Sequence, residues 1–174
     1  MWKGIIALIA VLIAIIIGFN FIGTDQADKT DIKINMIIES PAFQNNQNIP
    51  SKYTCDGANI NPTLKISGIP AEAKSLALII DDPDATRGTW THWVLANIDP
   101  SIREIPENSV PAGAVELKSS FAKPRYGGPC PPSGTHRYFF KLYALNTPKI
   151  SSVSEIPAHT IVQAELIGLY SRQR

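Results

Sequence analysis

The sequence has almost no excess of charge, since sixteen lysines and arginines stand against fifteen aspartates and glutamates in 174 residues. Residues 1–23 contain one lysine and no acidic residue, so the rest of the chain carries fifteen charges of each sign. Binding to nucleic acid requires a basic surface, and an anionic lipid surface attracts a polybasic patch. The charge balance argues against both. Any anion that the protein binds must therefore be held locally, in a small site.

Cysteine is also scarce, with only Cys55 and Cys130 in the chain. An even count in an oxidising compartment allows a disulfide, which would close a long loop and stabilise the fold by about 4 kcal/mol. Two separate buried thiols are the alternative, because the sequence does not show whether the distance that a disulfide requires is met. Both interpretations stay open at this point.

The one long apolar run lies at the start of the chain. Residues 4–23, GIIALIAVLIAIIIGFNFIG, contain no charge, and about twenty such residues suffice to cross a bilayer as a helix. The run is too long for an ordinary signal core, and no clear A-x-A cleavage site or lipoprotein cysteine follows it. The sequence predicts that residues 1–23 form an uncleaved N-terminal transmembrane anchor with the domain outside the cytoplasm. If the segment is instead a cleaved signal, the protein is secreted.

Short apolar runs follow a polar linker, residues 24–32, and fill a single domain over residues 33–174. The β-like runs, bounded by Gly, Pro, Asn and Asp, are 33–40, 63–67, 75–81, 91–99, 114–120 and 137–145. Fourteen prolines interrupt the chain too often for a helical bundle, and no repeat is evident. Only residues 159–172 are predicted to be helical. The pattern predicts a mainly β domain, a sandwich or barrel, with a peripheral C-terminal helix.

The first stretch that offers side chains for binding or catalysis is IIDDPDATRGTWTHWV, residues 79–94. Asp82 and Asp84 stand where a nearly continuous apolar strand leaves the core. Pro83 fixes its own φ and favours an extended conformation for Asp82, so the carboxylate is held in one direction. Such orientation lowers the entropic cost of a ligand contact. The alternative is a simple turn, because Asp and Pro favour turns.

A histidine follows ten residues after Asp82. If THWVLANI is a strand, Trp90, His92, Val94 and Ala96 share one face by the period of two. An indole then lies beside the imidazole, facing either a core or a pocket. A lone histidine on an apolar face is more often a satisfied core residue than a ligand. Its nearness to the Asp82 turn favours the pocket.

The second stretch is the loop YGGPCPPSGTHRY, residues 126–138. Its adjacent glycines permit backbone conformations and close approaches that a Cβ would forbid. Its paired prolines stiffen the chain, so the loop can present backbone N–H groups to an anion while losing little entropy. His136 and Tyr138 project from one face of the strand that follows. A rigid connection without a ligand is the alternative.

These motifs, in this order, resemble the two signature regions of the phosphatidylethanolamine-binding protein family, also called the Raf kinase inhibitor protein family. DPDA with a following W-x-H forms the first region, and GGPCPPSGTHRY forms the second. The stretch YTCDGANINP, residues 53–62, is similar to the bacterial and archaeal branch of the family. The resemblance runs from about residue 33 to the C-terminus.

The resemblance implies a fold of two antiparallel β-sheets with a small, largely preformed anion pocket. In the family, the DPD aspartates, the W-x-H histidine and the glycine–proline loop with its HRY histidine line that pocket. The matching residues are Asp82, Asp84, Trp90, His92, Gly128, Pro131, His136 and Tyr138. The family pocket binds anions without metal, so we expect no metal ligand, cofactor or catalytic residue. The rigid loop would form one wall of the pocket.

The chemistry of such a pocket follows from its side chains. A phosphate or similar oxyanion can accept hydrogen bonds from His92, His136, Tyr138 and loop amides. Ionised Asp82 would repel an anion, so we expect it to orient an imidazole and raise the proton affinity of that ring. In a phospholipid headgroup it can also face the ammonium. We therefore expect binding to strengthen as pH falls through the histidine range.

The sequence departs from the family pattern at the rim of the pocket. Thr86 stands where the common motif reads DPDAP, and Thr91 stands where many eukaryotic members have a second histidine. In mammalian members a C-terminal helix helps to gate the pocket, and Tyr170 is a candidate for that role here. These departures affect the shape of the rim.

The predicted function is a non-enzymatic, membrane-tethered binding protein for phosphate-bearing ligands or phospholipid headgroups, with a regulatory role. The alternative is a protease- or kinase-inhibitor-like protein that acts through a protein partner. A hydrolase using Asp82, His92 and His136 with Ser133 or Cys130 is disfavoured, because the spacing does not resemble a nucleophile elbow. A metal site of two histidines and a carboxylate is also disfavoured, because no H-x-H spacing occurs.

Overall fold

The computed structural model describes residues 35–172, and strands make up most of their regular structure. The strands are β1 Ile37–Glu39, β2 Gln47–Asn48, β3 Leu64–Ser67, β4 Ser75–Asp82, β5 Trp90–Ile98, β6 Glu104–Ile105, β7 Val115–Glu116, β8 Thr135–Leu145 and β9 Thr160–Ser171. Short 3₁₀ turns span Ser51–Tyr53 and Val153–Glu155, and helix α1 spans Ile156–His159. The prediction of a mainly β domain is confirmed.

The strands form two sheets. Three strands pair antiparallel in the order β1-β3-β6, and six strands form the larger sheet in the order β2-β9-β8-β4-β5-β7. Within the larger sheet every pair is antiparallel except the edge pair β2–β9, which is parallel. The expectation of two antiparallel sheets is therefore correct apart from that short edge strand.

The strand β4 is buried along its whole length because both faces of the larger sheet are covered. On one face, Leu78 and Ile80 belong to the main core. On the other face, Ile79 packs with Ile150 and Ile156, which follow β8 in the chain. This two-sided burial explains why the sequence of β4 reads as a continuous apolar run instead of alternating.

The predicted C-terminal helix over residues 159–172 is wrong, because Thr160–Ser171 is the long strand β9. It pairs antiparallel with β8 from Leu145 to Thr135. The buried residues of this strand are Ala164, Leu166, Gly168 and Tyr170. They recur with the period of two that a half-buried strand requires. The helical interpretation gave no weight to this period.

Two predicted strands are shorter than expected. Of the described part of residues 33–40, only Ile37–Glu39 pairs as a strand. Of residues 114–120, only Val115–Glu116 does so. The chain turns immediately afterwards, where the amide of Ala122 donates to the carbonyl of Ser119 at 2.9 Å. The segment after β7 is therefore a loop, and it lies beside the candidate site.

The predicted localisation requires correction. Among residues 35–172, no helix is long and apolar enough to cross a membrane. The segment on which the prediction rested, residues 1–23, and the linker at 24–32 both lie outside the described residues. The prediction of a membrane-anchored, extracytoplasmic protein is therefore withdrawn.

Candidate functional site

One end of the larger sheet gathers the polar residues that the sequence motifs contain. β4 ends at Asp82, and the antiparallel strand β8 begins beside it with His136 and Tyr138. β5 begins opposite Asp82 with Trp90. On the other side of β8, Tyr170 of β9 pairs with His136. Antiparallel pairing thus brings together residues that are far apart in the sequence.

Asp82, His92, His136 and Tyr138 are called here the sheet-end cluster. Within it, Asp82 and His136 form a buried pair. Asp82 Oδ2 lies 2.7 Å from Nδ1 of His136, and the two residues are 4 % and 7 % exposed. Since a carboxylate only accepts hydrogen bonds, Nδ1 of His136 carries the hydrogen and donates it. The other oxygen, Oδ1, accepts the amide of Asp84 at 2.8 Å. Asp82 therefore orients the imidazole, which leaves Nε2 as the nitrogen available to a ligand.

A β-bulge in β5 decides where His92 points. Ile80 of β4 pairs with Trp93, whereas the next residue of β4 pairs with Thr91. His92 thus has no partner of its own on β4, and the strand carries one extra residue at this point. A bulge shifts the alternation of side chains by one position, so residues on either side of it no longer follow a single period of two.

The consequence of the bulge is that His92 faces the main core with Trp93. Its ring lies edge-on to Tyr138 at 5.2 Å between centroids, while Val94 and Ala96 pack on the opposite face of the sheet. The prediction that His92 shares its face with Val94 and Ala96 is therefore wrong. Without the bulge, the imidazole would point away from the Asp82–His136 pair.

His92 is held by the loop that follows Phe121 and precedes β8. Its Nδ1 lies 2.7 Å from the carbonyl oxygen of Gly127, and His92 is 4 % exposed. A carbonyl only accepts, so Nδ1 donates, and Nε2 is again left for a ligand. Burial lowers the pKa of His92, and the carbonyls of Gly127 and Gly128 and the charge of Asp82 oppose that change. The free protein therefore favours neutral His92.

Tyr138 carries a buried hydroxyl for which the structure of residues 35–172 provides no hydrogen-bond partner. The residue is 0 % exposed. Burial is the main reason why the pKa of its phenol is raised, and the charge of Asp82 adds to this rise. The amide of Cys130 is near enough to oppose the rise, but it does not meet the geometry of a hydrogen bond. The phenol therefore keeps its proton. Most buried polar groups are paired, so an unpaired hydroxyl among histidines calls for a physical explanation.

Residues 126–132, called here the loop wall, are fastened to the segment around Tyr53. The amide of Gly128 donates to Oδ1 of Asn59 at 2.7 Å. A Cβ on Gly128 would come within 2.3 Å of the carbonyl oxygen of Tyr53, so only glycine fits there. The amide of Cys55 donates to the carbonyl of Pro129 at 3.1 Å. The loop wall is therefore positioned by close backbone packing.

A disulfide between Cys55 and Cys130 crosses the same contact. The two Cα atoms lie 5.4 Å apart, and the bond joins positions separated by 75 residues. The hydroxyl of Tyr126 adds a further link, because it donates to the carbonyl of Tyr53 at 2.8 Å. Pro131, one of the residues implied by the resemblance, is buried in this wall. Gly127, which orients His92, is therefore held in place from both sides of the loop.

Asp84 is engaged elsewhere, although the sequence also places it in the site. Its carboxylate accepts the amide of Arg137 at 3.0 Å, Nε at 2.9 Å and Nη2 at 2.6 Å. Arg137 is the main reason why the pKa of Asp84 falls to about 2. The charge of Asp84 is thus compensated at the edge of the cluster, on a partly exposed surface.

Trp90 lies at the rim instead of inside the cluster. It is 38 % exposed, and its ring contacts Phe121 at 5.4 Å between centroids. Phe121 is 41 % exposed and also contacts His92 at 5.5 Å. A Cβ on Gly127 would come within 2.4 Å of the Phe121 ring. Two exposed aromatic rings therefore border the buried histidine.

Sequence reasoning missed Phe121, Asn59 and Tyr126. Asn59 and Tyr126 fasten the loop wall, and Phe121 borders His92. The available signals were weak: a single aromatic residue in the polar run KSSFAKP, and the asparagine within YTCDGANINP. The predicted gate, Tyr170, donates its hydroxyl to Asp56 at 2.8 Å. Whether Tyr170 closes a pocket remains a prediction.

The site does not have the composition of a metal centre. Nowhere in residues 35–172 do three or more His, Cys, Asp or Glu side chains cluster in a way that could hold an ion. The cluster instead offers two imidazole Nε2 atoms and a phenol, next to a glycine-containing wall. Such groups can all donate hydrogen bonds when the histidines are protonated, which suits an oxyanion.

Fold and site together define a class of protein: a two-sheet β domain with buried Asp, His and Tyr side chains beside a glycine–proline loop. Residues 39–171 match the family described as phosphatidylethanolamine-binding protein. The chain belongs to this family, and the resemblance seen in the motifs is confirmed. Members are generally binding or regulatory proteins.

Relatives support the assignment over nearly their whole length. The chain is 47 % identical over 150 residues to a UPF0098 protein of Methanothermobacter thermautotrophicus, covering 79 % of this chain and 99 % of the relative. A crystal structure described as a phosphatidylethanolamine-binding protein homologue, CT736 of Chlamydia trachomatis, has a TM-score of 0.75 at 35 % identity, covering 80 % and 99 %. Escherichia coli YbcL, described as a member of the mammalian family, has a TM-score of 0.75 at 30 % identity, covering 79 % and 99 %.

Proposed function

We propose that the protein is a non-enzymatic binding protein whose sheet-end cluster receives a phosphate group or similar oxyanion. The family is known to bind phospholipid and phosphate ligands, which supports the ligand class. The phosphate can belong to a free phosphorylated small molecule or to a phospholipid headgroup, since both present the same oxygen atoms. The groups proposed to contact it are His92, His136 and Tyr138, with Asp82 as a positioning residue.

The observation that carries this proposal is the unpaired hydroxyl of Tyr138. A buried hydroxyl without a partner costs about 1–3 kcal/mol. A phosphate oxygen would accept a hydrogen bond from this hydroxyl. Binding would therefore remove the free-energy cost that the unpaired hydroxyl has in the free protein. The two imidazoles beside it already use Nδ1 to donate to Asp82 and Gly127. Their remaining nitrogens donate only when the rings are protonated, and an anion favours that state.

Affinity should depend on pH, and the sign follows from His92. Burial lowers its pKa in the free protein, whereas a bound anion would raise that pKa. Binding is then coupled to the uptake of a proton. Affinity therefore increases as pH falls from above the ordinary histidine pKa of about 6.5, and it levels off once the free protein is itself protonated.

Calorimetric titration of the full-length chain tests the proposal. Inorganic phosphate and phosphoethanolamine are titrated at about pH 5.5 and about pH 7.5, on either side of the ordinary histidine pKa. We expect saturable binding that is tighter at the lower pH and is lost in His136→Ala. Similar affinities for the two ligands would indicate a receptor for phosphate itself, whereas a clear preference for phosphoethanolamine would indicate a headgroup.

A matched control distinguishes site from surface charge. His159 lies outside the cluster, where Nδ1 meets Oδ1 of Asn146 at 2.9 Å. His159→Ala should bind phosphate like the unaltered chain. Absence of binding at both pH values, or equal losses in the two histidine variants, would contradict the proposal. The alternative of an inhibitor acting through a protein partner is not favoured by the family assignment or the geometry.

A further inference from the structure

A cavity of about 260 Å³ lies against the loop wall, outside the cluster of histidines. It is lined by Phe121, Lys123, Arg125 and Tyr126, with the loop-wall glycines and the Cys55–Cys130 disulfide behind them. The aromatic rings and the disulfide make much of its surface apolar. The lysine and the arginine add two positive charges, so the cavity combines an apolar wall with cationic groups.

Two residues belong both to this cavity and to the proposed oxyanion site. Gly127 lines the cavity, and its carbonyl accepts the hydrogen bond from His92. Phe121 also lines the cavity, and its ring contacts the His92 imidazole at 5.5 Å between centroids. The cavity and the proposed oxyanion site are therefore neighbours that share Gly127 and Phe121.

The turn that carries Phe121 and Lys123 is held by hydrogen bonds, although it is exposed. Oγ of the buried Ser119 donates to the carbonyl of Lys123 at 3.1 Å. The amide of Ala122 donates to the carbonyl of Ser119 at 2.9 Å. Ala122 has a φ of 58°, in the left-handed region that alanine rarely adopts. Such a conformation persists only where the surroundings enforce it.

The two cations have no acidic partner in the described part of the chain. Ion pairs there employ other basic residues, namely Lys52, His136, Arg137, Lys141 and Arg172. Lys123 and Arg125 are exposed and stand one residue apart on either side of Pro124. Their charges are therefore free to meet an acidic group that enters the cavity.

We propose that this cavity extends the oxyanion site and selects ligands that carry a second acidic group on a flat, apolar spacer. The phosphate would bind at His92, His136 and Tyr138, the spacer would pack on Phe121, and the second acid would meet Lys123 and Arg125. The inference rests on the proposed function, because it assumes a phosphate at the histidines. It adds the class of ligand: an aromatic phosphate ester with a carboxylate or a second phosphate.

The size of the cavity suits such a spacer. A cavity of about 150 Å³ is enough to admit benzene, and this one measures about 260 Å³. One aromatic ring therefore fits with room for its substituent. A saturated chain would also fit, but it would gain less from the ring of Phe121, because aromatic pairs have a preferred stacking geometry.

Three ligands separate the parts of the proposal: inorganic phosphate, phenyl phosphate and 4-carboxyphenyl phosphate. Each is titrated calorimetrically into the full-length chain and into Lys123→Ala/Arg125→Ala. A matched control is Lys74→Ala/Lys149→Ala, which also removes two exposed positive charges. Those two lysines flank the other end of the same sheet, next to the start of β4 and the end of β8. Thermal unfolding of each variant verifies that it folds.

We expect the carboxylate to improve affinity over phenyl phosphate by about fivefold at most, since ion pairs with exposed side chains such as Lys123 and Arg125 are weak. The gain should vanish in Lys123→Ala/Arg125→Ala and persist in the control variant. Inorganic phosphate should bind the three proteins with similar affinity. His136→Ala should lose all three ligands, because the second acid alone is held only by exposed groups.

Each contrary outcome has a distinct meaning. If phosphate and phenyl phosphate bind but the carboxylate adds nothing, the extended site is refuted and the proposed function stands. If the gain survives in Lys123→Ala/Arg125→Ala, these cations are not its source, and the inference fails. If 4-carboxyphenyl phosphate still binds His136→Ala, the cavity is a separate site, which also overturns it. If no ligand binds any variant, the proposed function itself is wrong.

Discussion

The site has two walls that are positioned by different physical means. The strand wall, which we define as Asp82, His92, His136 and Tyr138, is placed by the hydrogen-bonded register of β4, β5 and β8. The loop wall, residues 126–132, is not itself a strand. It is fastened by a disulfide, by close packing and by a few hydrogen bonds, one of which runs from the amide of Gly127 to the carbonyl of His92 in β5 at 3.2 Å. A register is shared among many bonds, whereas the fastening of the loop depends on a few.

This difference predicts how the two walls respond to substitution. A change in the strand wall should alter the chemistry of the site while the sheet keeps its geometry. A change in the loop wall should loosen the carbonyl of Gly127, and with it the orientation of His92, without removing any group that contacts the ligand. The following substitutions test this contrast in order of decreasing effect on stability.

Removing the disulfide should have the largest effect. Cys55→Ser/Cys130→Ser opens a cross-link between positions separated by 75 residues, and we expect a loss of about 4 kcal/mol in the free energy of unfolding. Urea unfolding of the variant and of the unaltered chain, each with and without a reductant, measures it. The reductant should change only the unaltered chain. Equal stability of the variant and the unaltered chain in the absence of reductant would show that the loop wall does not depend on the disulfide.

Breaking the buried pair of the strand wall should cost nearly as much. Asp82→Ala leaves His136 buried without its partner, and we expect a loss of about 3 kcal/mol. The imidazole also loses the group that orients it, so phosphate affinity should fall with stability. Urea unfolding and phosphate titration on the same sample give both values. Full retention of phosphate affinity would mean that Asp82 does not position the imidazole.

A single methyl group should disturb the loop wall. In Gly128→Ala the new Cβ would meet the carbonyl oxygen of Tyr53 at 2.3 Å, so the backbone must shift, at a cost of about 2 kcal/mol. Gly134→Ala is a useful comparison because its Cβ meets nothing within 4 Å, although its φ of 69° disfavours alanine. We expect only the first to weaken phosphate binding. Thermal unfolding of both variants measures the loss of stability, and titration with phosphate measures the loss of affinity.

The smallest effect should come from the exposed pair at the edge of the site. Asp84→Ala removes a contact with Arg137 that is partly open to solvent, and such pairs contribute less than about 1 kcal/mol. Because Arg137 lowers the pKa of Asp84 from 3.8 to about 2, this contribution is present above pH 3.8 and lost as pH falls through about 2. Unfolding curves of both proteins should therefore converge in acid. Divergence in acid would contradict the assigned cause.

The sequence allowed the fold and much of the cluster to be predicted, because both depend on local pattern and on motif. Short apolar runs with frequent turn residues predict a mainly β domain. The resemblance named Asp82, His92, His136 and Tyr138, which the structure brings together. The strand β9 was mistaken for a helix, because its apolar residues were matched to a helical period.

Other features could not be read from the sequence for physical reasons. The bulge that turns His92 towards Tyr138 depends on pairing between β4 and β5, which leaves no mark in either strand alone. The positions of Asn59 and Phe121 depend on contacts between loops that are distant in the chain. The partnerless state of the Tyr138 hydroxyl appears only after its whole surroundings are known.

Tyr138→Phe tests most directly the claim that the unpaired hydroxyl of Tyr138 donates a hydrogen bond to a ligand oxygen. We expect the free protein to become more stable by about 1–3 kcal/mol, because the substitution removes a buried hydroxyl that has no hydrogen-bond partner, while phosphate affinity falls about tenfold. Tyr53→Phe is the matched control, since it removes a hydroxyl that donates to a carboxylate oxygen of Glu107 at 2.8 Å, outside the site. It should lose about 1 kcal/mol of stability and keep most of its phosphate affinity. Unchanged phosphate affinity in Tyr138→Phe would contradict the central claim.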